Sequence, residues 1–177
     1  LDDLRQFANR DQPMALILLD LSAAFDMVDH DILMSRLEDA GVREMPLKWF
    51  LSFLSNRAFE VHMGPFASVS RGLPCGIPTG SFLSPVLFNI YIQPLVSALM
   101  QKQCNIYNYA DDTQIIIRLD GSTNVHSQAQ ETFRFIFSWM SRNSLKLSPA
   151  KTELLVISKD HKVWSDSFWS GEMDPPP

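Results

Sequence analysis

The stretch Tyr107–Ile117, YNYADDTQIII, decides how the chain is read. Its flanks, "CNIYNY" (104–109) and "TQIIIRL" (113–119), are rich in β-branched and aromatic residues, and only "ADD" separates them. The spacing predicts a tight hairpin with Asp111 and Asp112 at its tip. Successive strand residues alternate in direction, so both carboxylates serve one site only if something positive stands there. Asp is also a favoured turn residue that bonds its own backbone, a role that needs no ligand.

Working outward, "MALILLD" (Met14–Asp20) is a continuous apolar run closed by an acid, the pattern of a buried strand covered on both faces. In "DHDILMSRLEDAG" (29–41), Ile32, Leu33, Leu37 and Ala40 recur at helical spacing, with Asp29 placed to cap the start and Gly41 to end the helix. "MPLKWFLSFLSN" (45–56) reads as a second short helix with Pro46 in its first turn. Short alternating runs around "MGPF" over 57–72 predict a hairpin. From Ser81 to about Met100 a long apolar segment reads as helix, with Pro85 tolerated near its start. After a turn at "DG" (120–121), Val125, Ala129, Phe133, Ile136 and Met140 mark an amphipathic helix, and "ELLVIS" (153–158) gives a last strand. Strands and helices are interspersed without a repeat, so the fold class is α+β.

At 177 residues, 46% hydrophobic and 20% charged, the chain suits one globular domain that buries its core without disulfides or metals. Cys75 and Cys104 lie outside any CxxC spacing, which predicts reduced thiols in an intracellular protein. No signal peptide and no bilayer-length apolar run stand in the sequence, so no membrane partner is expected. A net charge of −5 weighs against a nucleic-acid partner. A cation-collecting site is acidic by construction, however, and a basic surface can belong to subdomains outside this chain.

Asp20 changes the weight of the Asp pair. It suits a cap for the turn at "LSAAF", yet it also closes a strand at the end where sheets display functional groups. With Asp111 and Asp112 it makes three carboxylates that adjacent strands bring together, and like charges share a site only when cations neutralise them. Hard divalent ions with oxygen ligands fit, Mg²⁺ first. Two such ions roughly 3.5–4 Å apart are the apparatus of in-line phosphoryl displacement.

Four blocks, "LLDLSAAFDMVDHDIL", "CGIPTGSFLSPVLFNIYI", "YADDTQ" and "LKLSPAKTELLVI", stand in the order and spacing of the reverse transcriptases of LINE-like, non-LTR retrotransposons, which the chain resembles from about Ala15 to Ile157. The resemblance implies a right-hand polymerase palm, an antiparallel sheet with a catalytic hairpin packed on helices. It implies an enzyme that extends a DNA primer with dNTPs on an RNA template. Asp20, Asp111 and Asp112 would be catalytic and would hold two Mg²⁺ ions, with Mn²⁺ as a substitute and the carbonyl of Leu21 as an extra ligand. Phe25 matches the aromatic that excludes a ribose 2′-hydroxyl, and core packing is its plain alternative. Gly76, Thr79 and Gly80 fall in the block that passes over the incoming nucleotide, the glycines allowing close backbone approach to a ligand. Lys151 matches a lysine near the triphosphate, though a Lys before a strand is commonly only solvated. His30 and Asp26 recur in the first block, where packing accounts for them.

The chain departs from the family in two ways. The family usually has Gln where Thr79 stands, and Thr does not make the same reach. Fingers precede the palm in the family and a thumb follows it within one polypeptide. Here 1–13 reads as a remnant of fingers or a linker, 14–158 as the palm and 159–177 as an irregular tail. The expectation is therefore a palm fragment, with a catalytically inactive relic as the alternative. Elements of this type act in the nucleus after cytoplasmic synthesis, which implies a nuclear or cytoplasmic protein. A haloacid-dehalogenase-type phosphatase would need Asp where Ser22 stands, and a P-loop enzyme would need GxxxxGK[ST], which is absent.

Overall fold

The structure, a computed structural model, describes residues 14–109, 111–118, 125–148 and 150–157. The expected segments at 1–13 and 159–177 and the turn at 120–121 lie outside these residues. The apolar run of the first block forms β1 (Met14–Leu19), and the hairpin forms β6 (Asn105–Tyr109) and β7 (Asp112–Arg118). With β8 (Glu153–Ile157) they make a four-stranded sheet in the order β6-β7-β1-β8, antiparallel at every pairing. β1 is thus central, paired to strands that follow it by about a hundred residues and more.

Alternation divides the sheet into two faces. Ala15, Ile17 and Leu19 of β1, Ile115 and Ile117 of β7 and Leu154 of β8 enter the main core, whereas Met14, Leu16 and Ile116 form a small separate cluster. The expectation that β1 is covered alike on both faces is corrected here. In an antiparallel sheet one face packs on helices and the other is left more open.

Four helices among the described residues complete the core. In α1 (His30–Asp39) the Asp29 Oδ1 accepts from the Ile32 amide at 3.0 Å, and Gly41 follows at φ +91°. Leu33 and Leu37 are buried, while Ala40 is exposed at the C-cap rather than in the core. α2 (Glu44–Leu54) carries Pro46 in its first turn, where a missing amide costs nothing. α3 (Ser84–Gln101) starts beside Pro85, continues through Pro94 and buries Leu87, Phe88, Tyr91, Leu95 and Leu99. α4 (Val125–Arg142) presents Ala129, Phe133, Ile136 and Met140 to the core. Burying each such large side chain contributes about 1.5–3 kcal/mol.

Between α2 and α3 the chain makes two small ribbons instead of a single hairpin. β2 (Ala58–Phe59) pairs with β5 (Arg71–Gly72), and β3 (His62–Met63) pairs with β4 (Phe66–Ala67) around Gly64 and Pro65. All eight of these strand residues are exposed. No helix among the described residues is long and apolar enough to cross a membrane.

Candidate active site

The register of the sheet builds the site. Leu19 lies opposite Thr113, so the next residue outward on each strand is Asp20 beside β1 and Asp112 on β7, and Asp111 occupies the adjoining hairpin turn. Strand alternation assigns Asp20 and Asp112 to the more open face, with Met14, Leu16 and Ile116, away from the helices. Directly opposed residues on an antiparallel pair hold their Cβ atoms about 4.5–5.5 Å apart. Two acids separated by some ninety residues are neighbours for that reason alone.

A second segment grips Asp20 by its backbone. The Asp20 amide donates to Thr152 Oγ1 at 3.4 Å, and the Asp20 carbonyl accepts from the Ser148 amide at 2.8 Å. Leu21 forms an antiparallel bridge with Leu147, and the Ser22 amide donates to the Lys146 carbonyl at 2.8 Å. Lys151 Nζ stands 3.7 Å from Asp20 Oδ2, an exposed lysine beside a half-buried acid. The carboxylate therefore has a cationic partner in place of the capping role that the turn at "LSAAF" suggested. Beyond Leu21 the chain turns through Ala23 at φ +50°, a left-handed conformation unusual for a residue with a Cβ.

Residues of the block "CGIPTGSFLSP" gather with Phe25 of the first block at an open pocket of about 330 Å³. Phe25, Thr79, Gly80 and the fully exposed Phe82 line it, together with Ser81, Ser84 and Pro85. Phe25 is half-buried, its ring 5.3 Å from that of Phe88 on α3, so it packs on the core and lines the pocket at once. Gly80, at φ +82°, has open space where a Cβ would stand.

Gly76 does not join them, which corrects the expectation that its missing side chain makes room for a ligand. A Cβ there would lie 2.9 Å from the Asp26 carbonyl oxygen, so the close approach is to backbone of the same chain. Its amide donates to the Val28 carbonyl at 2.7 Å, and its carbonyl accepts from His30 Nε2 at 2.8 Å and Arg57 Nη1 at 2.9 Å. His30 and Asp26 thereby have the packing roles that the sequence suggested for them. Sequence reading missed Thr152, Ser148 and Lys146. The block "LKLSPAKTELLVI" contained them, but their work is done by backbone groups and one hydroxyl that no motif flags.

The donor set suits a hard divalent cation, since Asp20, Asp111 and Asp112 offer only carboxylate oxygens. The sequence reading has adjacent strands bring the three carboxylates together, yet no three of His, Cys, Asp and Glu among the described residues stand together as a ligand group. Like charges repel, and the positive partner of Asp20 here is Lys151. Cys75 and Cys104 are free thiols, as expected.

An antiparallel sheet backed by helices, with acids at the end of its central strand and on the adjoining hairpin, is the palm of a nucleic-acid polymerase. The chain belongs to the reverse transcriptase (RNA-dependent DNA polymerase) family, whose model matches residues 2–169. It is 28% identical over 142 residues to a putative 115 kDa protein in the type-1 retrotransposable element R1DM of Drosophila melanogaster, covering 78% of this chain and 13% of that protein. It is 27% identical over 144 residues to a probable RNA-directed DNA polymerase from transposon BS of the same species, covering 77% of this chain and 16% of that protein. The chain thus spans less than a fifth of these relatives. Among solved structures, the telomerase of Candida tropicalis in complex with a fragment of telomeric RNA matches at a TM-score of 0.68 and 12% identity, covering 96% of this chain and 33% of that one. Candida albicans telomerase matches at 0.63 and 14%, covering 94% of this chain and 34% of that one. These structures establish the palm fold.

Proposed function

We propose that this chain is the palm of an RNA-directed DNA polymerase of a non-LTR retrotransposon, working by two-metal nucleotidyl transfer onto the 3′ end of a DNA primer with an RNA template and dNTPs. The observation that supports this reading is the register that makes Asp20 and the Asp111–Asp112 turn neighbours. Asp20, Asp111 and Asp112 would hold Mg²⁺, or Mn²⁺ in its place, and the Leu21 carbonyl would be an extra ligand. When bound, such ions lower the pKa of the attacking hydroxyl and neutralise the leaving pyrophosphate.

The chain's own residues supply orientation and exclusion. Thr152 and Ser148 hold the Asp20 backbone from both sides, so its carboxylate starts from a fixed root. Phe25, anchored on Phe88, presents an aromatic wall to the pocket, where a 2′-hydroxyl would meet carbon instead of a hydrogen-bond partner. Thr79 and Gly80 line the same pocket. Lys151 is exposed on a long flexible stem, so its Nζ is free to leave Asp20 for a triphosphate and to give it a proton.

Thermal unfolding with and without Mg²⁺ tests the metal reading, because an ion that binds only the folded chain stabilises it by mass action. Mg²⁺ or Mn²⁺ is expected to raise the melting temperature of the wild type, and Asp20→Asn or Asp111→Asn to remove the effect. A wild-type melting temperature indifferent to both ions would sink the reading.

A further inference from the structure

Away from the acids, a buried polar knot ties three helices to the segment that grips Asp20. Tyr91 on α3 is fully buried, and its hydroxyl donates to the Asn143 carbonyl at 2.7 Å while accepting from the Asp29 amide at 3.3 Å. Asn143, also buried, takes Arg36 Nη2 of α1 on its Oδ1 at 3.1 Å and donates through Nδ2 to the Trp139 carbonyl at 2.8 Å. Arg36 Nε is buried with no hydrogen-bond partner, so that nitrogen is desolvated where the side chain reaches Asn143. One residue later Ser144 turns at φ +54°, and Lys146, Leu147 and Ser148 then pair with Ser22, Leu21 and Asp20.

We propose that Tyr91 and Asn143 are positioning residues for Asp20: they pin the C-terminal end of α4, and through the short turn after it they fix the backbone on which Asp20 and Leu21 stand. The path is contiguous and short, three residues from Asn143 to the Lys146 carbonyl. A helix end needs its orphan carbonyls satisfied, and an aliphatic contact would suffice for packing alone. A buried hydroxyl that bridges the cap of α1 and the end of α4 sets relative position as well, because a shift of either helix breaks a buried bond to it. The importance of Asp20 in this inference rests on the reading of that residue as a cation ligand.

Tyr91→Phe in the 177-residue chain tests it, with Arg36→Met as a second variant that keeps the stem but loses the bond to Asn143. Hydrogen exchange is followed at the Ser22 and Ser148 amides, which bond across the Asp20 segment, and at the central amides of β7, which report global opening. The expected result is exchange roughly tenfold faster at Ser22 and Ser148 with β7 changed much less. Mn²⁺ titration followed by electron paramagnetic resonance is expected to show several-fold weaker binding in both variants. Exchange that rises equally at β7 and at Ser22, or at neither, would overturn the positioning role and leave Tyr91 a packing residue. Wild-type chain that binds no Mn²⁺ would instead remove the metal reading, and the exchange arm would still decide for or against the positioning of the Asp20 backbone.

Discussion

Gly76 and Gly80 look alike in the sequence, four residues apart in one block, and differ completely in what they answer to. Both have positive φ, yet only Gly76 has backbone pressed against the place of its missing Cβ. Gly76→Ala is expected to cost about 2–4 kcal/mol in urea unfolding, since left-handed strain adds to a clash that no side chain can relieve. Gly80→Ala should cost about 1–2 kcal/mol, from the dihedral alone. Equal losses would contradict the assignment of Gly76 to chain packing. The two cysteines offer a similar contrast. Cys104 is 4% exposed and burial pushes its thiol up, whereas Cys75 is half-buried with Sγ 3.3 Å from the Asp26 carbonyl. Because the thiolate is the reactive form, a disulfide reagent should label Cys75 in the folded protein and Cys104 only on unfolding. That Asp20 and the Asp pair stand near one another was legible only once the resemblance aligned their blocks, since an Asp pair in a tight turn is by itself accounted for by turn chemistry. Gly76 was not legible in this way, because nothing local says whether a glycine makes room for a ligand or for its own chain.

The elements were read well wherever pattern and cap coincide. α1 has its capping Asp29, its apolar periodicity and its terminal Gly41, and the structure returns the cap, the terminal glycine and the periodicity as far as Leu37. Asp29→Ala should lower stability by about 0.5–2 kcal/mol in denaturant titration. What escaped was contact between elements. Pro94 inside α3 gave no warning of its position, and the split of 57–72 into two ribbons follows from pairings only the fold reveals. Tyr91 was invisible as a polar anchor, because its position in "NIYI" reads as plain core. Its burial pushes the phenol up to about 12, from an ordinary value near 10. The folded state therefore holds the proton more tightly than the unfolded state. This contribution is whole below about pH 10 and disappears as pH climbs toward 12, a loss of about 2–3 kcal/mol. Tyr91→Phe should flatten that alkaline decline in urea midpoints measured from pH 9 to 12; an unchanged slope would mean that the phenol opens to solvent before it ionises.

At the scale of the molecule, a palm that spans less than a fifth of the two Drosophila melanogaster relatives invites a test in a larger context. Thr79 has one hydroxyl on a stiff, short stem where the resembled family usually has Gln, and a hydrogen bond of that sort is worth roughly 1–3 kcal/mol when its partner is buried, about 5- to 150-fold. In a chimaera joined to fingers and thumb of a related element, primer extension on RNA is expected to be weak, and Thr79→Gln should improve it mainly by lowering KM for dNTP. In the same chimaera Phe25→Val should admit ribonucleotides, with a loss of dNTP preference of roughly 10² or more. Unaltered sugar preference would return Phe25 to its contact with Phe88.

The sheet order carries one more implication, for how the chain is made. β1 is nearly the first described segment, and its two neighbours are β7 and β8, the second of them ending at Ile157. At roughly 5–20 residues per second, a ribosome needs on the order of ten seconds to deliver them. For that interval β1, apolar at all six positions, emerges without a partner, and helices formed on the way have no sheet to cover. Long-range pairing of this kind folds slowly. The sheet therefore closes late: Met14–Leu19 has its first partner strand only when translation has passed Arg118 and its second only past Ile157.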